Sequence, residues 1–165
     1  MPRDVVREYT WSADPERVYN VFTMADFQRT LAERTGSLQV QVEVEEVPTG
    51  RVIQTSRVLP AQVPPFARPL VGETVRVDEE QRWRSPAGGC SSAELLIRFS
   101  GPLSGHGSID LSPGAQTGTT SGHFALSFKA NVPLVGGKVE ALIAEQIEQY
   151  LDVQAALVTD VLAAP

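Results

Sequence analysis

Residues 135–162, VGGKVEALIAEQIEQYLDVQAALVTDVL, decide the architecture of this chain. Val139, Leu142, Ile143, Ile147, Tyr150, Leu151, Leu157, Val158, Val161 and Leu162 recur at helical spacing, which predicts one long amphipathic helix near the carboxyl terminus. Such a helix needs a surface on which to bury its stripe. Almost everything between Ser37 and Ala130 reads as strand, so that surface is the face of an antiparallel sheet. A sheet that grips one long helix can enclose a cavity.

Working outward from the helix, the period changes from helical to two. Leu38, Val40, Val42 and Val44 alternate with Gln39, Gln41, Glu43 and Glu45, which predicts a strand with one buried and one solvated face. Pro48-Thr49-Gly50 turns into a second strand, Arg51 to Leu59. Pro60, Pro64, Pro65 and Pro69 then forbid a central strand and define a loop whose apolar tips are Val63 and Phe66. Further strands are expected at Val71–Trp83, Ser92–Leu103, Gly107–Leu111 and Thr119–Ala130, with His106 in a tight turn between two glycines. Ahead of the sheet lie a strand from Asp4 to Trp11 and two short helices. The first begins at Asp14-Pro15-Glu16, with Asp14 as a side-chain cap, and the second runs from near Asp26 to a left-handed stop at Gly36. The resulting order, β-αα-β6-α, is an α+β layout with a curved antiparallel sheet of about seven strands, expected as a single domain over residues 1–165.

Composition narrows the function classes. The 165 residues carry a net charge of −6 and no basic run, which argues against nucleic acid as a partner. No stretch approaches the roughly 18 apolar residues of a membrane span, so no integral membrane segment is expected. One cysteine, Cys90, and the absence of an apolar leader at Met1-Pro2-Arg3-Asp4 lead to the expectation of a cytoplasmic protein. His106, His123 and Cys90 stand at no ligand spacing, so neither a metal nor another cofactor is expected. Gly136-Gly137-Lys138-Val139 is no phosphate loop, because Val139 replaces the hydroxyl that would reach magnesium. No nucleophile elbow or Ser, His and Asp series stands out, and no catalytic residue is named.

The segment Val132-Pro133-Leu134-Val135-Gly136-Gly137-Lys138-Val139-Glu140, together with Arg57-Val58-Leu59-Pro60 before the proline-rich loop, resembles a bacterial family of unknown function in the START-like superfamily. That resemblance spans essentially the whole chain and implies the helix-grip fold, a curved sheet wrapped around a long helix and a cavity. The superfamily includes lipid-transfer domains and polyketide cyclases, so the resemblance implies a fold while leaving the activity open.

Candidate site residues follow from polarity on faces that should be buried. At roughly 100° per residue, Gln146, Tyr150 and Gln154 fall near the centre of the helix's apolar stripe. These polar groups require partners: a strand, a water or a ligand. Glu79 shares a strand face with Val75, Val77, Gln81 and Trp83, which makes it a candidate inward carboxylate. His123 could act near neutral pH if it faces the cavity, and Val63 and Phe66 could contact a ligand at its mouth. For each, the plainer alternative is packing, solvation or a structural hydrogen bond. The expected function is carriage or sensing of a hydrophobic or amphipathic small molecule or lipid. Two alternatives are a polyketide cyclase or aromatase-like enzyme, and an interaction module, such as a homodimer, with a collapsed cavity.

Overall fold

The structure is a computed structural model, described for residues 2–164. The chain runs β1 (Arg3–Trp11), α1 (Pro15–Phe22), α2 (Ala25–Arg34), β2 (Gln39–Val47), β3 (Gly50–Pro60), α3 (Arg68–Val71), β4 (Thr74–Arg84), β5 (Ser91–Phe99), β6 (Leu103–Pro113), β7 (Thr120–Ala130) and α4 (Gly136–Ala163). All seven strands form one curved antiparallel sheet in the order β1-β7-β6-β5-β4-β3-β2. Consecutive strands from β2 to β7 are neighbours, and β1 returns to close the far edge against β7. The α+β layout expected from the periodicity, and the helix-grip arrangement that the resemblance implies, are therefore present.

Local chemistry explains most boundaries. Pro15 opens α1 at a position whose N–H would be orphaned in any case. The Asp14 side chain makes no capping hydrogen bond, a correction to its expected role; its backbone carbonyl accepts the Val18 N–H instead. Gly36, at φ +88°, takes the left-handed conformation after α2 that a residue with a Cβ adopts only with strain. Val71 ends the short helix α3 rather than opening a strand, and β4 begins at Thr74. His106 lies inside β6 rather than in a turn. The flanking Gly105 and Gly107 occupy inward positions where a Cβ would come within 2.7 Å of the Phe128 ring and 2.5 Å of the Ala125 carbonyl oxygen, so β6 lies close under β7 there.

The core divides along the length of α4. Toward its carboxyl end, Trp11, Phe22, Phe27, Trp83 and Phe124 pack around one another, with Phe22 ring centroids 5.5 Å from Phe27 and Trp83 and 5.8 Å from Trp11. Trp11 also donates its indole N–H to the Ala155 carbonyl at 3.1 Å, tying β1 to α4. Fully burying each such ring stabilises the fold by about 1.5–3 kcal/mol. The close backbone approaches of α4 are to β1, β7, α1 and α2, and over β3 to β5 it stands further off. The apolar face of β2 is only partly covered, since β2 is an edge strand: Val44 remains 37% exposed, and Leu38, just ahead of the strand, 63%. This corrects the expectation of a fully buried face there.

Candidate functional site

Where α4 stands off the sheet, a cavity of about 340 Å³ remains, within the size range of small-molecule pockets. Its walls are mainly aliphatic and aromatic, including Val77, Ile97, Ile109, Leu126, Val139 and Ile143. The polar groups concentrate on β3, β4 and the facing turns of α4.

On β4 the alternation Val75, Val77, Glu79, Gln81 and Trp83 points inward, and its polar members form a chain. The Trp83 indole N–H donates to Gln81 Oε1 at 2.9 Å, and Gln81 Nε2 donates to Glu79 Oε1. Glu79 Oε2 lies 3.8 Å from Nη2 of Arg57 on the neighbouring strand. The register sets Thr55 opposite Glu79 and Val77 opposite Arg57, so the two charges meet on the diagonal, within reach of long side chains. Arg57 Nη1 then donates to the Tyr150 hydroxyl at 2.7 Å, and the guanidinium carbon lies 4.9 Å from the centre of the Tyr150 ring. A continuous polar series thus crosses from sheet to helix, from Trp83 through Gln81, Glu79 and Arg57 to Tyr150.

This arrangement controls the charges. Burial works against the Arg57 cation, but Tyr150 and Glu79 outweigh it and hold the guanidinium above its ordinary value. Burial raises the Tyr150 hydroxyl above its ordinary value and outweighs the opposing Arg57 charge, so the phenol stays protonated. Two atoms in this region have no partner. Arg57, 8% exposed, leaves Nε unpaired, and Gln154, 3% exposed, leaves Oε1 unpaired.

The remaining candidates separate clearly. Val63 lines the cavity, whereas Phe66 is 46% exposed and is not part of the lining. Gln146 reaches across the mouth and donates Nε2 to the Gln62 carbonyl at 2.8 Å, joining α4 to the proline-rich loop. His123 is corrected: on β7 it alternates with the inward Phe124, so its ring lies on the other face of the sheet, where Nδ1 is 3.1 Å from Glu8 Oε1. Arg57 was not singled out in the sequence, although Ile53, Thr55, Arg57 and Leu59 show the period that turns it inward. Among the described residues no group of three or more His, Cys, Asp or Glu side chains could hold a metal ion, and no helix is long and apolar enough to cross a membrane.

A curved antiparallel sheet closed by one long helix over a largely apolar hollow defines, by fold, the class of helix-grip proteins. Within that class, the chain belongs to the family described as a protein of unknown function (DUF2505), whose model matches residues 5–162. An uncharacterized protein of Mycobacterium tuberculosis is 22% identical over 162 residues, covering 93% of both chains. In fold the chain is similar to a START superfamily protein from Mycobacterium smegmatis, with a TM-score of 0.65, 12% identity and coverage of 96% of this chain and 98% of the other. It is similar also to the Zhui aromatase/cyclase from a Streptomyces species, with a TM-score of 0.58, 12% identity and coverage of 97% and 90%.

Proposed function

We propose that this protein binds a hydrophobic or amphipathic small molecule in the cavity between the sheet and α4. The observation that carries this reading is the pairing of an apolar hollow with a buried polar series, Glu79, Arg57 and Tyr150, along one wall. Small-molecule sites commonly pair a mainly apolar wall with a few placed polar groups that orient the ligand. Tyr150, Gln154 and Glu79 would orient the polar end of the ligand, Val63 would contact its apolar part, and the Gln146 to Gln62 bridge would control access. Phe66 and His123 have no place in this reading.

The direct test is native mass spectrometry of freshly purified protein, followed by solvent extraction of anything retained. A bound small molecule, or tight uptake of a fluorescent apolar probe that decane displaces, supports the proposal. A protein that arrives empty and takes up no apolar probe refutes it.

One observation favours a second reading, a cyclase or aromatase-like enzyme: Glu79 and Tyr150 both carry exchangeable protons or accept them beside the cavity. Against it, Arg57 already engages both groups, which suits a fixed polar wall better than a proton carrier. Turnover of a polyketide-like chain that is abolished in both Glu79→Gln and Tyr150→Phe would favour the enzyme.

A further inference from the structure

We propose that the polar end of the cavity selects an uncharged hydroxyl, as on an alcohol or phenol, over a carboxylate. This rests on the cavity-binding reading above and specifies its ligand. The polar wall offers hydrogen-bonding groups of both kinds: the Tyr150 hydroxyl, which accepts from Arg57, retains a proton to donate, and the Glu79 carboxylate accepts. A ligand hydroxyl complements both, accepting from Tyr150 and donating to Glu79. A carboxylate offers only acceptors and has no proton for Glu79.

Charge leads to the same conclusion. A lone buried arginine would invite an anion, but Glu79 Oε2 already lies 3.8 Å from Arg57 Nη2, and both side chains are about nine-tenths buried. The pair is electrically neutral. A ligand carboxylate brought to Arg57 would add a second negative charge beside Glu79 and leave the site with a net buried anion, which is costly in a low-dielectric environment. A ligand ammonium meets the opposite obstacle in the Arg57 cation. A neutral head that both donates and accepts avoids both difficulties, and the Tyr150 hydroxyl, which accepts from Arg57, keeps its own proton free to join it.

The test compares decanol, decanoate and decane as competitors of one fluorescent apolar probe at neutral pH. Decanol should bind at least about tenfold more tightly than decanoate, the ratio that corresponds to about 1.4 kcal/mol. Glu79→Gln keeps an acceptor for Gln81 Nε2 but removes the neutralising charge. In that variant the ratio should move toward decanoate by about tenfold or more. Tyr150→Phe should weaken decanol and leave decane unchanged. Equal binding of decanol and decanoate by the wild-type protein, or a preference for decanoate, would overturn the head-group assignment while the cavity reading stands. If none of the three competes and the probe itself is not taken up, the cavity reading falls and the assignment falls with it. The wild-type comparison is decisive even if Glu79→Gln fails to fold.

Discussion

The Tyr150 hydroxyl accepts a 2.7 Å hydrogen bond from Arg57 Nη1 while the same guanidinium carbon lies 4.9 Å from the centre of the Tyr150 ring. One cation therefore engages both the edge and the face of one aromatic side chain, across 93 residues of sequence. Arg57 is the only side chain that connects the polar chain of β4 to α4 in this series, and its loss has calculable consequences.

Arg57→Met strands the Glu79 carboxylate in a buried position. Breaking one side of a buried ion pair costs about 3–5 kcal/mol. Urea unfolding should show a loss of that order, and adding Glu79→Gln to Arg57→Met should recover at least about 1 kcal/mol of it. Additive losses in the double variant would mean that the two side chains do not interact.

Alkaline pH should destabilise the fold through two tyrosines. Burial, then the hydrogen bond to Asp152, pushes the Tyr9 hydroxyl above its ordinary value, and burial does the same to Tyr150. A raised value means that the folded chain holds the proton more tightly than the unfolded chain. Their stabilisation is complete below about pH 10, the ordinary tyrosine value, and is lost as pH rises above it. Urea midpoints measured across that range should fall with pH. The slope should be shallower in Tyr9→Phe, and an unchanged slope would refute the assignment.

Gln146→Leu removes the 2.8 Å hydrogen bond from α4 to the Gln62 carbonyl. The expected loss of global stability is small, about 0.5–1.5 kcal/mol, because the bond lies at the surface. Amide exchange in residues 61–67 should accelerate while the exchange of β5 and β6 does not change. Uniform acceleration across the sheet would show that the bond supports the whole fold rather than the loop.

Ile143→Trp projects additional ring volume from α4 into the cavity. Probe affinity should fall by about tenfold or more, with the fold retained because the added atoms enter open space. His123→Ala provides the control. Its ring lies on the opposite face of the sheet, so probe affinity should be unaffected. An effect of His123→Ala as large as that of Ile143→Trp would place the ligand elsewhere.

Much of this site was legible one element at a time. The period-two alternation around Glu79 already set it on the same face as Val77 and Trp83, and the i, i+4 spacing set Tyr150 and Gln154 on the apolar face of the helix. The same alternation sets His123 and Phe124 on opposite faces, and with Phe124 inward the His123 ring lies away from the cavity. Arg57 was harder to find, because an arginine with inward parity is ordinarily read as a solvated strand residue until its partners are known.

The sequence by itself determined the order of the seven strands, the two short helices before the sheet and the long closing helix, though not the short α3 or the place of His106 within β6, because those main elements follow from backbone periods of two and 3.6 residues that any short segment carries. Tertiary structure alone decided that the helix rests on β1 and β7 and leaves a hollow over β3 to β5, that β2 is a half-exposed edge, and that Arg57 meets both Glu79 and Tyr150. The physical reason is that strand order, sheet curvature and diagonal register set distances between residues far apart in the chain. A local pattern contains the direction of a side chain but not what lies across from it.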